Sequence, residues 1–407
     1  MKSLIILKGV AKTEKLRWVE KEGLENFFLD INTLRRLYSS PELLVPFKEI
    51  LNKSYGDTVY SEFLRVLITK LSKGCLIVLD PENECLKVFE SLAFIFGYTV
   101  FYVYQNMPKD YMTNSKHYNL PYFPAKRKDE LKREMVDHLD FNVGGKLIIK
   151  RYKEVEQYWE KKCKGENYYK LKTNKKVLHV SDIHSNYSLY KLLPPFKNYD
   201  FTIFHGDYID GPEEGGSRAM IDEVFRLGNR RNLVWLEGNH ELRLRKQLGL
   251  IMLNVGGRNR EVRELLYKSI PADYFKTTYK EFFDLTPEQA KEYIEKLNKT
   301  LKLFVIIECG KLKYICTHSG LKYIEQISPK FIGNVIYGNR DMNKVDKEFS
   351  SHTQKSGYWS VHAHCKYYSE WNTHKYRNVV NLDPQTNGEV IYAEQEKNQW
   401  KTIQLGK

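Results

Sequence analysis

Nothing in this chain approaches the roughly 18 consecutive apolar residues that a membrane-crossing helix needs. The apolar part of the N-terminus, Leu4-Ile5-Ile6-Leu7, is too short for the core of a secretory signal and reads as a first strand. Cysteine is scarce. The six present (75, 85, 163, 309, 316 and 365) show no CxxC spacing, so neither a zinc knuckle nor a disulfide framework is indicated. A reducing cytosol is the expected setting, with no membrane partner. Acidic residues are also in deficit, 51 against 65 Lys and Arg, for a formal charge of +14. Excess positive charge draws polyanions by counterion release, and the 29 tyrosines offer faces on which bases can stack. A Lys- and Tyr-rich composition by itself would produce much of that signal. The length, 407 residues, suits two or three domains, and 42% hydrophobic content is enough to build their cores.

Against this background five short segments stand out. They are Asp182-Ile183-His184, Gly206-Asp207-Tyr208-Ile209-Asp210, Gly238-Asn239-His240-Glu241, Thr317-His318-Ser319-Gly320 and His362-Ala363-His364. The first four each follow a short β-type run: Lys-Val-Leu-His-Val (176–180), Phe-Thr-Ile-Phe-His (201–205), Leu-Val-Trp-Leu-Glu (233–237) and Tyr-Ile-Cys-Thr (314–317). Such runs predict buried strands, and ligands of α/β folds collect at strand carboxyl ends. Together the segments supply enough oxygen and imidazole nitrogen for two adjacent divalent cations. Two such metals activate water and take up charge on a transferring phosphoryl group.

At these residues segment 177–392 resembles the calcineurin-like metallophosphoesterases, whose pattern is DxH, GDxxD, GNH followed by Glu or Asp, a lone His, and GHxH. The resemblance implies one metal on Asp182, His184 and His364 and a second on Asn239, His318 and His362, with Asp207 bridging both. It implies that His240 donates a proton to the leaving oxygen, with Asp210 as its acidic partner; the ordinary pKa of histidine suits that task. Manganese is the expected ion, with iron, nickel or zinc as alternatives.

The departures are informative. Val361 stands where glycine usually precedes the last motif, and Gly211 replaces the phosphate-gripping arginine of the protein-phosphatase branch. Arg340, in Tyr337-Gly338-Asn339-Arg340-Asp341, resembles a second such arginine and is expected to carry that role. Arg218 and Arg243 are weaker candidates, expected to be solvated. Asp383 sits where relatives hold an aspartate close to the site.

The N-terminal region has its own logic. Leu4–Leu7 leads to Gly9-Val10-Ala11-Lys12-Thr13-Glu14-Lys15-Leu16. A phosphate loop reads GxxxxGK followed by Ser or Thr. Gly9 and Lys15 are in register, whereas Glu14 replaces the second glycine and Leu16 the metal-binding hydroxyl. Residues 1–140 nevertheless resemble the kinase half of polynucleotide kinase-phosphatases. Phe27-Phe28-Leu29-Asp30-Ile31-Asn32-Thr33-Leu34-Arg35 matches the segment with a general-base Asp (Asp30) and a phosphate-contacting Arg (Arg35). The similarity rests on spacing and hydrophobic pattern more than on identities, and the broken loop predicts a decayed kinase that retains polynucleotide contacts.

The resemblances imply an α/β chain: a P-loop kinase-like parallel-sheet domain over 1–145, a linker over 146–175, and a calcineurin-like αββα metallophosphoesterase sandwich over 176–407. A helical insertion over 241–300 is expected to roof the site, its Arg258, Arg260 and Arg263 lining a polyanion path. Thr286-Pro287-Glu288 marks a helix start within it. The expected activity is hydrolysis of phosphate at polynucleotide ends, an RNA 3′-phosphate or 2′,3′-cyclic phosphate, with a ligase or other repair enzyme as the implied partner. Phosphoserine or phosphothreonine in proteins, dinucleoside polyphosphates, and an idle nucleic-acid-binding adaptor are the alternatives.

Overall fold

The computed structural model describes residues 2–8, 12–31, 33–34, 53–81, 86–104, 147–165, 170–173, 176–211, 213–253, 258–271, 278–332, 334–337, 342–353, 356–364, 376–383, 390–396 and 399–405. Among them no helix is long and apolar enough to cross a membrane. Three sheets organise the described residues.

The first sheet comprises β1 (Lys2–Lys8), β2 (Phe28–Asp30), β3 (Ile77–Asp80), β4 (Tyr98–Tyr104) and β5 (Leu147–Ile148). Its order is β2-β3-β1-β4-β5 and every pairing is parallel. A parallel sheet is covered on both faces, which is why Leu4-Ile5-Ile6-Leu7 can be apolar without alternation. Leu4 and Ile6 pack with helices α2 (Lys53–Ser72) and α3 (Leu86–Ile95), while Ile5 and Leu7 face Trp18 and Val19 of α1 (Lys12–Lys21). The described residues of the 146–175 stretch, expected as a linker, form regular structure. They supply β5, then α4 (Tyr152–Gly165), then β6 (Lys170–Lys172), which pairs with the strand Phe304–Cys309 of another sheet. Tyr152 and Val155 of α4 join the core of the first sheet, while Trp159 stacks on Phe304 of the next unit.

The remaining sheets form a two-layer sandwich. One runs β10 (Leu301–Lys302), β9 (Leu233–Leu236), β8 (Phe201–Phe204), β7 (Lys176–Val180), β15 (Val390–Glu396), β16 (Gln399–Leu405). The other runs β14 (Val379–Asn381), β13 (Tyr358–His362), β12 (Leu312–Thr317), β11 (Phe304–Cys309), β6. Their facing side chains make one core, with Val177, Ile203 and Val234 against Val305, Cys316 and Val361. Helices α5 (Gly216–Leu227), α6 (Asn239–Met252), α7 (Arg258–Lys268), α8 (Thr278–Phe282) and α9 (Pro287–Thr300) cover the outside of the first layer, and α10 (Met342–Thr353) covers the second. The arrangement is αββα.

Helix α9 begins where Thr286 was expected to cap it. The Thr286 Oγ1 accepts from Gln289 N at 3.2 Å, and the Gln289 side chain accepts from Thr286 N at 2.8 Å. Within the insertion, Arg263 serves packing. Arg263 donates to the carbonyls of Leu250 and Leu253 at the end of α6, and α7 lies against α2 of the first unit. Arg260 is exposed, and the Arg258 side chain lies outside the described residues.

One buried cluster joins the first sheet to the sandwich. Glu237, directly after β9, meets Lys2 of β1 at 3.0 Å and Arg245 of α6 at 2.5 Å, and all three are almost fully buried. Burial raises the Glu237 carboxyl, but Arg245 and Lys2 bring it below its usual range. Removing one member of such a cluster strands the others in low dielectric. Glu237→Ala is therefore expected to cost about 3–5 kcal/mol and to lower the urea midpoint, with Glu237→Gln far milder. A loss below about 1 kcal/mol would show that the cluster behaves like a surface pair.

Candidate metal centre and proton donor

The sequence motifs converge at the carboxyl ends of the sandwich strands. Asp182 and His184 follow β7, Asp207 and Asp210 follow β8, Asn239 and His240 open α6 after β9, His318 follows β12, and His362 ends β13. The connecting turns are strained: His184, Ser185, Asp207 and Asp210 all take positive φ, at 45°, 58°, 53° and 65°. Non-glycine residues rarely adopt this conformation, and its clustering in two adjoining loops marks a built site. Gly206, at φ 93°, lets the turn pass so close that an added Cβ would meet Gly238 N and His318 Nδ1 at 2.8 Å.

Glu241 fixes the relation of two of these loops. Its Oε2 accepts from Asp207 N at 3.0 Å and Gly238 N at 2.9 Å, and its Oε1 accepts from Tyr208 N at 2.7 Å. Asp207 in turn accepts from His240 N at 3.1 Å through Oδ1. His318 Nδ1 meets the carbonyl of His205 at 2.6 Å, so its Nε2 is left facing Asn239 Oδ1 at 3.0 Å and Asp207 Oδ1 at 3.4 Å. Asp207 is central. His184, Asp207 and His240 each bring a ligand-capable atom within 4.8 Å of the others, and so do Asp207, His318 and His364.

The donor set fits divalent cations. Asp182 Oδ1 and His362 Nδ1 are buried with no hydrogen-bond partner, and an orphaned buried donor or acceptor costs free energy. His362 Nε2 meets Asp346 Oδ1 at 3.0 Å, a carboxylate–histidine contact of the kind that orients metal ligands. Burial, with Asp383 and Asp207 close by, pushes the Asp182 carboxyl well up. Burial alone would raise Asp207 as well, but His240, His318, His184 and His364 lower it on balance. Burial lowers His184 to about 4 and His364 to about 3, leaving their imidazoles neutral as metal ligation requires. By distance His364 gathers with His318 on Asp207; on the family's pattern Asp182, His184 and His364 would hold one ion and Asn239, His318 and His362 the other.

His240, beside His184 and Asp207, is distinguished by a second carboxylate partner. Its Nδ1 lies 2.6 Å from Asp210 Oδ2, and its Nε2 stands 3.6 Å from Asp207 Oδ2. Burial lowers its pKa, but Asp207 and Asp210 outweigh burial, and on balance it is raised above 6.5. A protonated imidazole anchored through Nδ1 presents Nε2–H to a departing oxygen. Arg243, expected to be solvated, instead donates to Asp210 Oδ2 at 3.3 Å. Arg218 is held by Asp284 at 3.1 Å and the Glu281 carbonyl at 3.2 Å. Gly211 cannot carry the family's arginine here, because even a Cβ would fall 1.3 Å from the His184 carbonyl oxygen.

Arg340 lies outside the described residues, as do Cys365, Gly9 and Arg35. In the first sheet Lys15 forms a buried ion pair with Asp80 at 2.7 Å, and Asp30, also buried, accepts from Thr33 Oγ1 at 3.0 Å. Asp346 was missed by sequence reasoning, since an aspartate in an amphipathic helix carries no motif. The orienting role of Glu241 was visible only as a motif letter.

These features define a metal-dependent phosphoesterase. Residues 175–399 match the model of the calcineurin-like phosphoesterases, and the chain belongs to that family. No curated protein matches it in sequence. Among solved structures it is similar to a cold-active protein-tyrosine phosphatase of the psychrophile Shewanella sp., at 15% identity and TM-score 0.32, over 58% of this chain and 84% of that one. It is also similar to a protein serine/threonine phosphatase from Saccharomyces cerevisiae with similarity to human phosphatase PP5. That match is at 13% identity and TM-score 0.35, over 69% and 96% of the two chains. Likenesses this distant add nothing to the family assignment.

The raised pKa of His240 has a direct consequence. With His240 as donor, activity is expected to fall as pH rises through a pKa above the ordinary imidazole value. Asp210→Asn removes one of the two carboxylates that raise it, so the alkaline limb of kcat should move to lower pH. His240→Ala should lower kcat by about 10²–10⁴-fold and abolish that limb. A kcat–pH profile unchanged in both variants would exclude His240 as the donor.

Proposed function

We propose that this phosphoesterase hydrolyses phosphate at polynucleotide ends, an RNA 3′-phosphate or 2′,3′-cyclic phosphate. The observation that carries the hydrolytic half is the convergence of His184, His318 and His364 on Asp207 beside the His240–Asp210 pair. Divalent ions held there, manganese by the mixed nitrogen and carboxylate donor set, supply Lewis acidity and an activated water. His240 Nε2 protonates the departing ribose oxygen, Asp210 orients that donation by fixing Nδ1, and Arg340 is assigned to the non-bridging oxygens.

The substrate half draws support from composition and from the first sheet. A charge of +14 favours a polyanion, and 14% aromatic content favours unpaired bases. The first unit is a parallel sheet with Lys15, Asp30 and Asp80 gathered at its strand ends, where α/β folds bind ligands. Its lysine is engaged by Asp80 and its loop lacks the hydroxyl for magnesium, so we read it as a kinase-like unit that contacts nucleic acid without transferring phosphate.

Manganese-dependent phosphate release from a 3′-phosphorylated RNA oligonucleotide, beside a phosphoserine peptide, tests the reading. RNA is expected to be turned over at least tenfold faster, with no ATP-dependent 5′-phosphorylation. Faster turnover of the peptide would overturn the polynucleotide substrate.

A further inference from the structure

Between the two layers of the sandwich, close to the Asp207 centre, three further ligand-type side chains converge. His179 belongs to β7, His205 follows β8, and Cys316 belongs to β12. All three are fully buried, and a ligand atom of each lies within 4.8 Å of the others. None belongs to the donor set around Asp207, although two are joined to it through the backbone. The His205 carbonyl faces His318 Nδ1 at 2.6 Å, and Cys316 lies two residues before His318.

Hydrogen bonds to the two rings determine where their lone pairs point. His205 Nδ1 stands 3.0 Å from the Thr317 carbonyl, which can only accept, so that nitrogen carries the proton. His179 Nε2 stands 3.0 Å from Gln395 Oε1, also an acceptor, and the Gln395 side chain bonds the Tyr314 hydroxyl as well. A neutral imidazole has one N–H. With both N–H groups engaged by oxygen, His179 Nδ1 and His205 Nε2 face each other at 3.2 Å as two acceptors. A second proton on His179 would bridge them, but burial holds its pKa down at about 4. Neither ring has a carboxylate partner among the described residues. Two facing acceptors of this kind suit a cation that both can ligate.

The spacing suits a metal ion. Two nitrogens on one tetrahedral zinc, each at about 2.0–2.1 Å, stand roughly 3.3 Å apart. Metal-bound histidines commonly give their other N–H to an oxygen acceptor, as both rings do here. The Cys316 sulfur makes only a 4.0 Å contact, with the Tyr314 carbonyl. Thiolate favours zinc, whereas manganese prefers oxygen donors.

We infer that His179, His205 and Cys316 hold a third metal ion, zinc, in the interior of the sandwich. Ligation replaces the thiol proton, which leaves to solvent as the chain folds around the ion. The ion ties β7, β8 and β12 together and fixes His205, whose carbonyl orients His318.

The test uses the full chain produced in medium supplemented with zinc or with cobalt. The described donors around Asp207 are nitrogen and oxygen, so sulfur bound to an ion reports the inner site. Cobalt-loaded chain is expected to show a sulfur-to-cobalt charge-transfer band, lost in Cys316→Ser and kept in Cys309→Ser and Cys365→Ser. The Cys365 variant is included because that residue follows His364. Zinc-edge X-ray absorption of the Cys365→Ser chain should show sulfur at about 2.3 Å, a readout that leaves the packing at Cys316 untouched. Absence of sulfur at the zinc edge would overturn the inference and leave the two rings joined by a hydrogen bond, with the Gln395 amide turned around. A band that survives Cys316→Ser, or is lost in Cys365→Ser, would overturn it equally. Each result is independent of which phosphoester is hydrolysed at Asp207.

Discussion

A single buried carboxylate holds the catalytic loops together. Glu241 accepts three backbone N–H groups, two from the loop that carries Asp207 and Asp210 and one from the loop that carries Asn239 and His240. Burial, with Asp207 nearby, raises its carboxyl to about 8, so the metal centre rests on an acid placed where its charged form is disfavoured. Three backbone donors work against that shift, and they also determine the spacing between the central aspartate and the proton donor. Strained φ values at Asp207 and Asp210 persist because this anchor and the strand ends over-determine the loops.

The same loop is tied backward to the first sheet. Glu237 lies two residues before Asn239, and its partners are Lys2 of the first strand and Arg245 of the helix that Asn239 opens. Arg245 also donates to Asn298 at 2.6 Å, and Asn298 donates to the Phe94 carbonyl at 3.1 Å. The parallel sheet therefore packs as part of the support for the metal-binding loop, through α4 and β6 on one side and this polar seam on the other. A tether would have left the two units free to move; a buried ionic cluster fixes their register.

Much of the centre was legible in the sequence because its chemistry is local to strand ends. Asp182, Asp207, Asn239 and His318 each follow an apolar run, and the strands form where those runs lie. The helix start at Thr286 was legible for the same reason, since capping involves residues three apart. Contacts that bridge distant segments left no such trace. Asp346 reaches His362 from a helix whose pattern only records burial, and Arg243 reaches Asp210 from helix α6. The 146–175 stretch reads as polar and linker-like because its apolar residues are spread between two cores, Val155 in one and Trp159 in the other. Arg263 looked like a substrate contact because charge alone does not reveal a helix end that needs its carbonyls satisfied.

The central claim is that Asp207 organises a two-metal centre. Manganese titrated into the chelator-treated chain, followed by calorimetry and metal analysis, tests it most directly. Two ions per chain are expected, with Asp207→Ala losing at least one of them and binding the other more weakly. A chain that binds no manganese, or an Asp207→Ala variant that binds two ions as tightly as the unmodified protein, would contradict the account.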